Sequence, residues 1–593
     1  MTLGCFGGTS KSGQNGQGTS LATKISLMIA LCIPVILETL DYTVVATAQP
    51  HIASIFHSLN LQSYIGTAYL LSSTVFIPFF GSLADIYGRH PTLQLSLLFF
   101  MIGSALSTGA HDMPTMLAGR GIAGIGAAGL TAVVRIILAD SRSLDDNNWQ
   151  TTMLMILYTI GYCVGPVIGG ALVSVSFRWI FAINLPACTA AAILCFFILP
   201  RIAQKGKAPE RLPVKFGQKE SWFDKLLRID WVGAVLFMGG GILLLLALNW
   251  GSTEAWRSAK VIVSFVVGGI LFIAFGSYEV MLVHYRDSPV PPPLRMLWAD
   301  PLVPMNVFLS YDACAVLYSN FVQGMVMMVM FYFVAIFMVI VEGVSATKAG
   351  VQLIYFAPGM GAGSFLSMQI IRITRQPRRA VQLGSLVMVV GLGFVSMGVD
   401  QNKRALVDGF MVMTGAGVGL SVASSILQVR FTQSEAKQAR VTALTLFMRS
   451  FGGTVGLAQC GAVMNAKVSA HIVSAVRSGA LSATGIGALG SGTWSSGSLG
   501  SLQTIDALPG AVQDVVHTAF TIGTRYSFIS LVPWAGLAFI TSMFLGRIPA
   551  TDEKSNKVDV EESSGGKVKP DGDSTNALEM QEVRRSSVEG RRT

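Results

Sequence analysis

The sequence predicts an all-α integral membrane protein with about fourteen transmembrane helices. Three observations predict it. Apolar residues make up 52% of the chain and charged residues only 12%, where soluble chains carry about a quarter charged. The apolar residues gather in stretches of about 20, the number that crosses ~30 Å of hydrocarbon as a helix. The 63 glycines exceed the usual ~7%, and small residues let helices approach closely in lipid, which offers no hydrophobic drive.

In order, the expected spans cover residues 25–48, 63–84, 91–109, 113–139, 151–175, 179–199, 230–249, 261–284, 313–340, 351–373, 380–399, 406–429, 441–464 and 523–545. Residues 301–311 either extend the ninth span or lie at the interface. Residues 1–24 are polar and lack the basic-apolar-cleavage order of a signal peptide, so the first apolar stretch counts as a span. Basic residues set the orientation. Loop 200–229 holds Arg201, Lys205, Lys207, Arg211, Lys215, Lys219, Lys225 and Arg228; Arg372, Arg375, Arg378 and Arg379 mark a second loop; Arg430, Lys437 and Arg440 mark a third. An even span count puts all three on one side, which places both termini in the cytoplasm. The formal charge of +10 therefore belongs to membrane-surface loops, and nucleic acid is not an expected partner.

Loop 465–522 is the one long loop on the other side. Its centre, 478–502, is rich in glycine and serine and reads as flexible. Its flanks, 466–476 and 512–520, read as short amphipathic helices. The seven cysteines mostly fall inside apolar stretches, which fits small buried hydrophobes better than a disulfide framework. The tail 546–593 is charged and lacks aromatics, so disorder is expected there. It contains Arg584-Arg585-Ser586-Ser587, either a basophilic kinase site or an unmodified solvated segment.

Charges inside spans cost at least ~2.5–3.5 kcal/mol on insertion scales, so each needs a reason. Glu38 and Asp41 lie three apart on the first span and share a face. Asp41 sits about 10 Å below the outer end of its helix, and Arg120 sits at about the same depth on the fourth. A carboxylate–guanidinium pair is therefore possible. Burial raises a carboxyl pKa and a nearby arginine lowers it, so such a carboxylate can take a proton when the arginine moves away. The alternatives are a static structural pair, or Asp41 as a polar interface residue. Arg449, inside the thirteenth span, either binds an anionic group or holds a helix contact. Asp230, Glu279, Asp312, Glu342 and Asp408 lie near span ends and read as interfacial. Met325, Met327, Met328, Met330 and Met338 on the ninth span read as packing, as a lipid-facing stripe or as a plastic apolar lining.

The turn GSLADIYGRH places Gly81, Asp85, Gly88 and Arg89 between the second and third spans. Glycines there let two helix ends approach, and Asp85 can accept a bond from Arg89. This turn resembles the signature loop of the major facilitator superfamily, departing from it at Ile86 and His90. LDYTVVATAQP (40–50), RGIAGIGAAG (120–129), GYCVGPVIGG (161–170) and FRWIFAINLP (177–186) resemble the signatures of its fourteen-spanner drug:proton antiporters, especially fungal ones. In the fifth-span segment, Gly161, Gly165 and Gly169 recur on one face beside Pro166 and Gly170. They permit close packing, either for its own sake or to seal one side of a pathway.

The resemblance implies a tail at 1–24, a six-helix bundle at 25–199, a basic cytoplasmic loop at 200–229 and two linker helices at 230–284. A connection at 285–312, a second six-helix bundle at 313–545 and the tail 546–593 follow. It further implies a proton-coupled exporter of small amphiphilic compounds (drugs, toxins or fungal secondary metabolites), working by alternating access at the plasma membrane. Glu38, Asp41, Arg120 and Arg449 would serve proton coupling and the substrate path, and Gly81, Asp85, Gly88, Arg89, Gly161, Gly165, Pro166, Gly169 and Gly170 would serve gating. An importer, or a vacuolar carrier of cationic amino acids, is the alternative; a membrane sensor without transport is a third reading. No HExxH, GxxxxGK[ST] or zinc-spaced Cys/His cluster is present, so no enzyme, metal or cofactor is expected. The expected partners are a small-molecule substrate, protons and the bilayer, around a monomer driven by the proton gradient.

Overall fold

The computed structural model describes residues 21–548 apart from 59–60, 141–143, 174, 203–205, 207–221, 254–255, 288–294, 345, 433–437 and 479–509. The first 20 residues, most of the basic loop 200–229, most of the loop centre 478–502 and the tail from 549 lie outside these, and with them the Arg584–Ser587 segment.

Helix α1 (Leu21–Ile55) is followed by α2 (Gln62–Val75) and α3 (Ile77–Tyr87), which together form one span bent by 42°. Pro78 in the first turn of α3 explains the break, since its ring tolerates a first turn but not a helix interior. Then come α4 (Arg89–Thr108), α5 (Met113–Ala139) and α6 (Leu144–Val173). Asp112 caps α5 by accepting from the Thr115 amide at 2.9 Å, and proline occupies its first turn, both start signals of a helix. The sixth span is divided into α7 (Phe177–Ala182) and α8 (Asn184–Ile202).

After the short α9 (Trp222–Arg228) lie α10 (Trp231–Thr253), α11 (Ala259–Asp287), α12 (Tyr311–Ile336), α13 (Ala346–Thr374), α14 (Pro377–Asp400), α15 (Arg404–Thr432), α16 (Gln438–Arg477) and α17 (Gly510–Met543). Among the described residues, eleven helices are long and apolar enough to cross a membrane, and the bent α2–α3 pair makes a twelfth. The other two expected spans correspond to α6 and α13, 30 and 29 residues long.

Two expectations change. The loop flanks are not separate short helices: 466–476 continues α16 and 512–520 continues α17. Residues 301–310 do not extend α12 as an α-helix, and Phe308 and Leu309 are exposed. Pro301, Leu302, Val303 and Pro304 are buried, and a 3-10 turn over Met305–Leu309 leads into α12 at Tyr311.

Helix α1 packs on α6, α8 and α2, and α4 packs on α5 and α8. Farther along the chain, α12 packs on α16, α15 and α17, while α14 packs on α15 and α17. Helices α10 and α11 pair with each other and touch α2 and α16 through α10. The two groups meet along α6–α13, α3–α16 and α5–α16. The five methionines of α12 and its continuation pack into the apolar core, Met325, Met330 and Met338 with no exposed surface.

Candidate functional site

Asp41 on α1 is buried, and its Oδ2 accepts from Arg120 Nη1 of α5 at 2.8 Å. The other oxygen, Oδ1, accepts from Asn184 Nδ2 at the start of α8, at 3.0 Å. The guanidinium lies over the Tyr69 ring, 4.2 Å from its centroid, and 5.6 Å from that of Phe181. Both charges are thus held out of water by one partner each, a polar side chain and aromatic faces.

Glu38 does not join this pair, although it shares a helix face with Asp41. Its carboxylate accepts from the hydroxyls of Thr131 on α5 and Tyr158 on α6, the latter at 2.7 Å. Arg135, one turn farther along α5, lays its guanidinium over the Tyr158 ring at 4.8 Å. Arg449 on α16 lies within electrostatic range of Glu38, Arg135, Tyr158 and Tyr162. Residues of both helix groups meet here: Tyr42 donates to Met328 Sδ at 2.9 Å, and Tyr162 meets Phe331 with ring centroids 5.4 Å apart. Glu38, Tyr42, Tyr162, Met328 and Arg449 keep part of their surface exposed although they sit mid-span. They line an internal cavity between α1, α6, α12 and α16.

The stripe on α6 packs against α1. A Cβ on Gly161 would strike Thr39, and one on Gly165 would strike Thr43; only glycine admits this approach. Gly169 is buried on the same helix, and Pro166 and Gly170 fall within its length.

The signature turn forms a charge cluster at the end of the molecule that carries the basic loops. Gly88 closes α3 with φ +97°, a conformation that favours glycine. Arg89 donates to Asp85 at 3.1 Å and bridges both oxygens of Asp140, at 2.9 and 3.0 Å. Asp85 also faces Arg440 of α16 at 3.5 Å, so the cluster links the two helix groups. Gly81 abuts Ala443 of α16. Burial pushes the Asp140 carboxyl above the usual range, with Arg89 opposing the shift. Two more bonds join the groups at this end: Arg375 to Asp145 at 2.7 Å and Asn148 Nδ2 to the Met368 carbonyl at 3.0 Å.

Asp230 and Glu279 face neither lipid nor solvent. They are 1% and 0% exposed and sit where α10 and α11 meet the turn before α12. Glu279 accepts from the Leu302 and Val303 amides at 2.9 and 3.2 Å, and Asp230 accepts from the Gly233 amide at 2.8 Å. Burial pushes the Asp230 carboxyl up. The same turn offers the Pro301 carbonyl to Arg440, at 3.1 Å. Of the other acids near span ends, Asp312 accepts from the Gly546 amide and Asp408 pairs with Arg404, while Glu342 lies at the end of the π-helical turn after α12.

Sequence reasoning passed over Asn184, Arg135 and Asp140. Asn184 was visible as a polar residue breaking an apolar run. Arg135 sits a turn before the end of α5, where a basic side chain ordinarily reaches the surface.

A family model described as "Major Facilitator Superfamily" matches residues 31–457. The chain is 27% identical over 553 residues to "MFS-type transporter ppz2" of Metarhizium majus, covering 93% of this chain and 89% of that protein. It is 29% identical over 452 residues to "Efflux pump FUS6" of Gibberella moniliformis, covering 75% and 74%. In fold it is similar to the human organic anion transporter MFSD10, with a TM-score of 0.54 at 12% identity over 88% of this chain and 99% of that one.

Proposed function

Because the chain belongs to the Major Facilitator Superfamily, we propose that it is a proton-coupled secondary transporter that exports small amphiphilic organic compounds such as drugs, toxins or fungal secondary metabolites. It is a carrier and not an enzyme. The observation that carries the coupling is the buried Asp41–Arg120 pair at 2.8 Å, set on the helix that also lines the central cavity. A carboxylate buried within a span needs a cationic partner, and movement of α5 relative to α1 would take that partner away from Asp41. Fungal relatives named as efflux pumps support the outward direction.

The substrate occupies the cavity around Glu38, Tyr162 and Arg449. The described cross-group ion pairs gather at the end with the basic loops, and this arrangement suits a carrier closed on the cytoplasmic side. The stripe Gly161, Gly165, Pro166, Gly169 and Gly170 and the turn Gly81, Asp85, Gly88 and Arg89 act as gates. The chain works as a monomer in the plasma membrane with both termini in the cytoplasm. Reconstituted vesicles with an imposed pH gradient test this reading. Outward substrate flux that rises with an inward proton gradient and vanishes with a protonophore is the expected result. Flux along the proton gradient would make it an importer, and flux indifferent to the gradient would remove proton coupling.

A further inference from the structure

We propose that the central cavity selects organic anions, with Arg135 and Arg449 gripping the acidic group and the surrounding rings holding the apolar body. This rests on reading the cavity as the substrate site. Arg135 is 5% exposed, and its Nε and Nη1 are buried without a hydrogen-bond partner. Its recorded contact is the face of Tyr158, which stabilises a cation but satisfies none of its donors. Arg449 is half-buried, and among the described residues it makes no hydrogen bond or ion pair.

The cavity cannot neutralise them. Arg449 feels Arg135 as a like charge and Glu38 as the acid within range. Glu38 has already given one oxygen to Thr131 and the other to Tyr158. Asp41 is taken up by Arg120 and Asn184. Two guanidiniums therefore face one carboxylate that is engaged elsewhere. A guanidinium kept from water and left unpaired is unfavourable. A carboxylate, sulfonate or phosphate matches its planar fork of donors. An amphiphilic cation would meet a wall of net positive charge. Beside the arginines, Tyr42 and Tyr162 keep part of their surface exposed, and Tyr162 backs onto the buried Phe331 at 5.4 Å. Offset and edge-on rings of this kind take up a flat, unsaturated body.

The test is binding to the full chain in neutral-lipid nanodiscs with no gradient, using a naphthalene sulfonate and a naphthyl trimethylammonium as matched probes. The sulfonate is expected to bind at least about tenfold more tightly than the ammonium, and Arg449→Gln and Arg135→Gln each to weaken the sulfonate by about tenfold or more. Arg449→Lys should restore part of the loss. If Arg135→Gln fails to fold, Arg449→Gln, at a less buried position, carries the test. Equal affinity for the two probes, preference for the ammonium, or sulfonate binding untouched by Arg449→Gln would overturn the anion site. Sulfonate binding without gradient-driven flux would leave this site standing and remove proton coupling instead.

Discussion

At the scale of single residues, the Asp41–Arg120 pair separates coupling from folding. Asp41→Asn keeps the shape and the Asn184 contact, so it is expected to reach the membrane and lose gradient-driven flux. Glu38→Gln is expected to be milder, because Glu38 bonds hydroxyls and not a guanidinium. Normal pH-driven flux in both single variants and in the double variant would take this site out of the mechanism. Removing only the arginine is a different experiment: Arg120→Ala leaves a buried carboxylate without its partner and should cost about 3–5 kcal/mol of stability. Thermal unfolding in detergent measures it, and adding Asp41→Asn should recover part of the loss. The contact between Asp41 and Arg120 was legible because depth follows from counting residues along two helices. The separation of Glu38 from that pair was not. Residues three apart point about 60° away from each other around the axis, and which neighbour fills that angle depends on packing. The partners of Asn184 and Arg135 stayed hidden for the same reason.

At the scale of elements, the turn between α3 and α4 acts as a latch. Its glycine, aspartate and arginine were readable in GSLADIYGRH, but its counterparts Asp140, Arg440 and Pro301 come from distant segments that no local pattern connects. Asp85→Asn weakens a charge-assisted contact worth ~1.5–3 kcal/mol and so should favour opening at this end. An engineered cysteine near the opposite mouth should then label more slowly than in the parent; unchanged labelling would count against the latch. The buried acid at the start of α10 gives a pH signature. Its folded pKa is raised, so the stability it contributes is complete below about pH 3.9, the unfolded value, and is lost as pH rises through the folded one. Asp230→Asn should flatten that part of the unfolding-temperature profile, and a profile identical to the parent's would contradict the assigned burial penalty.

At the scale of the whole molecule, the hydrophobic spans were the most readable feature, since bilayer thickness fixes their length regardless of what they pack against. What escaped was where helices stop. Nothing in composition tells a helix to end at the membrane surface, so α16 and α17 run on into what reads as loop. Shortening the chain after about Ala550 should leave vesicle flux intact, because the segments removed hold no span. A truncated chain that inserts normally yet moves no substrate would tie the tail to the mechanism.

The turn before α12 is gripped from both sides, by Glu279 through the Leu302 and Val303 amides and by Arg440 through the Pro301 carbonyl. Arg440 in turn faces Asp85. The linker pair α10–α11 is therefore no detachable module. A twelve-helix chain made by excising 230–284 would remove the carboxylate that seats Leu302 and Val303, and the latch arginine would lose a fixed carbonyl to lean on. Such a chain is expected to insert but to close poorly at its basic end. Reseating the turn with an engineered acceptor, and not simply a longer tether, is what would restore closure; recovery with a tether alone would show that the pair is only ballast.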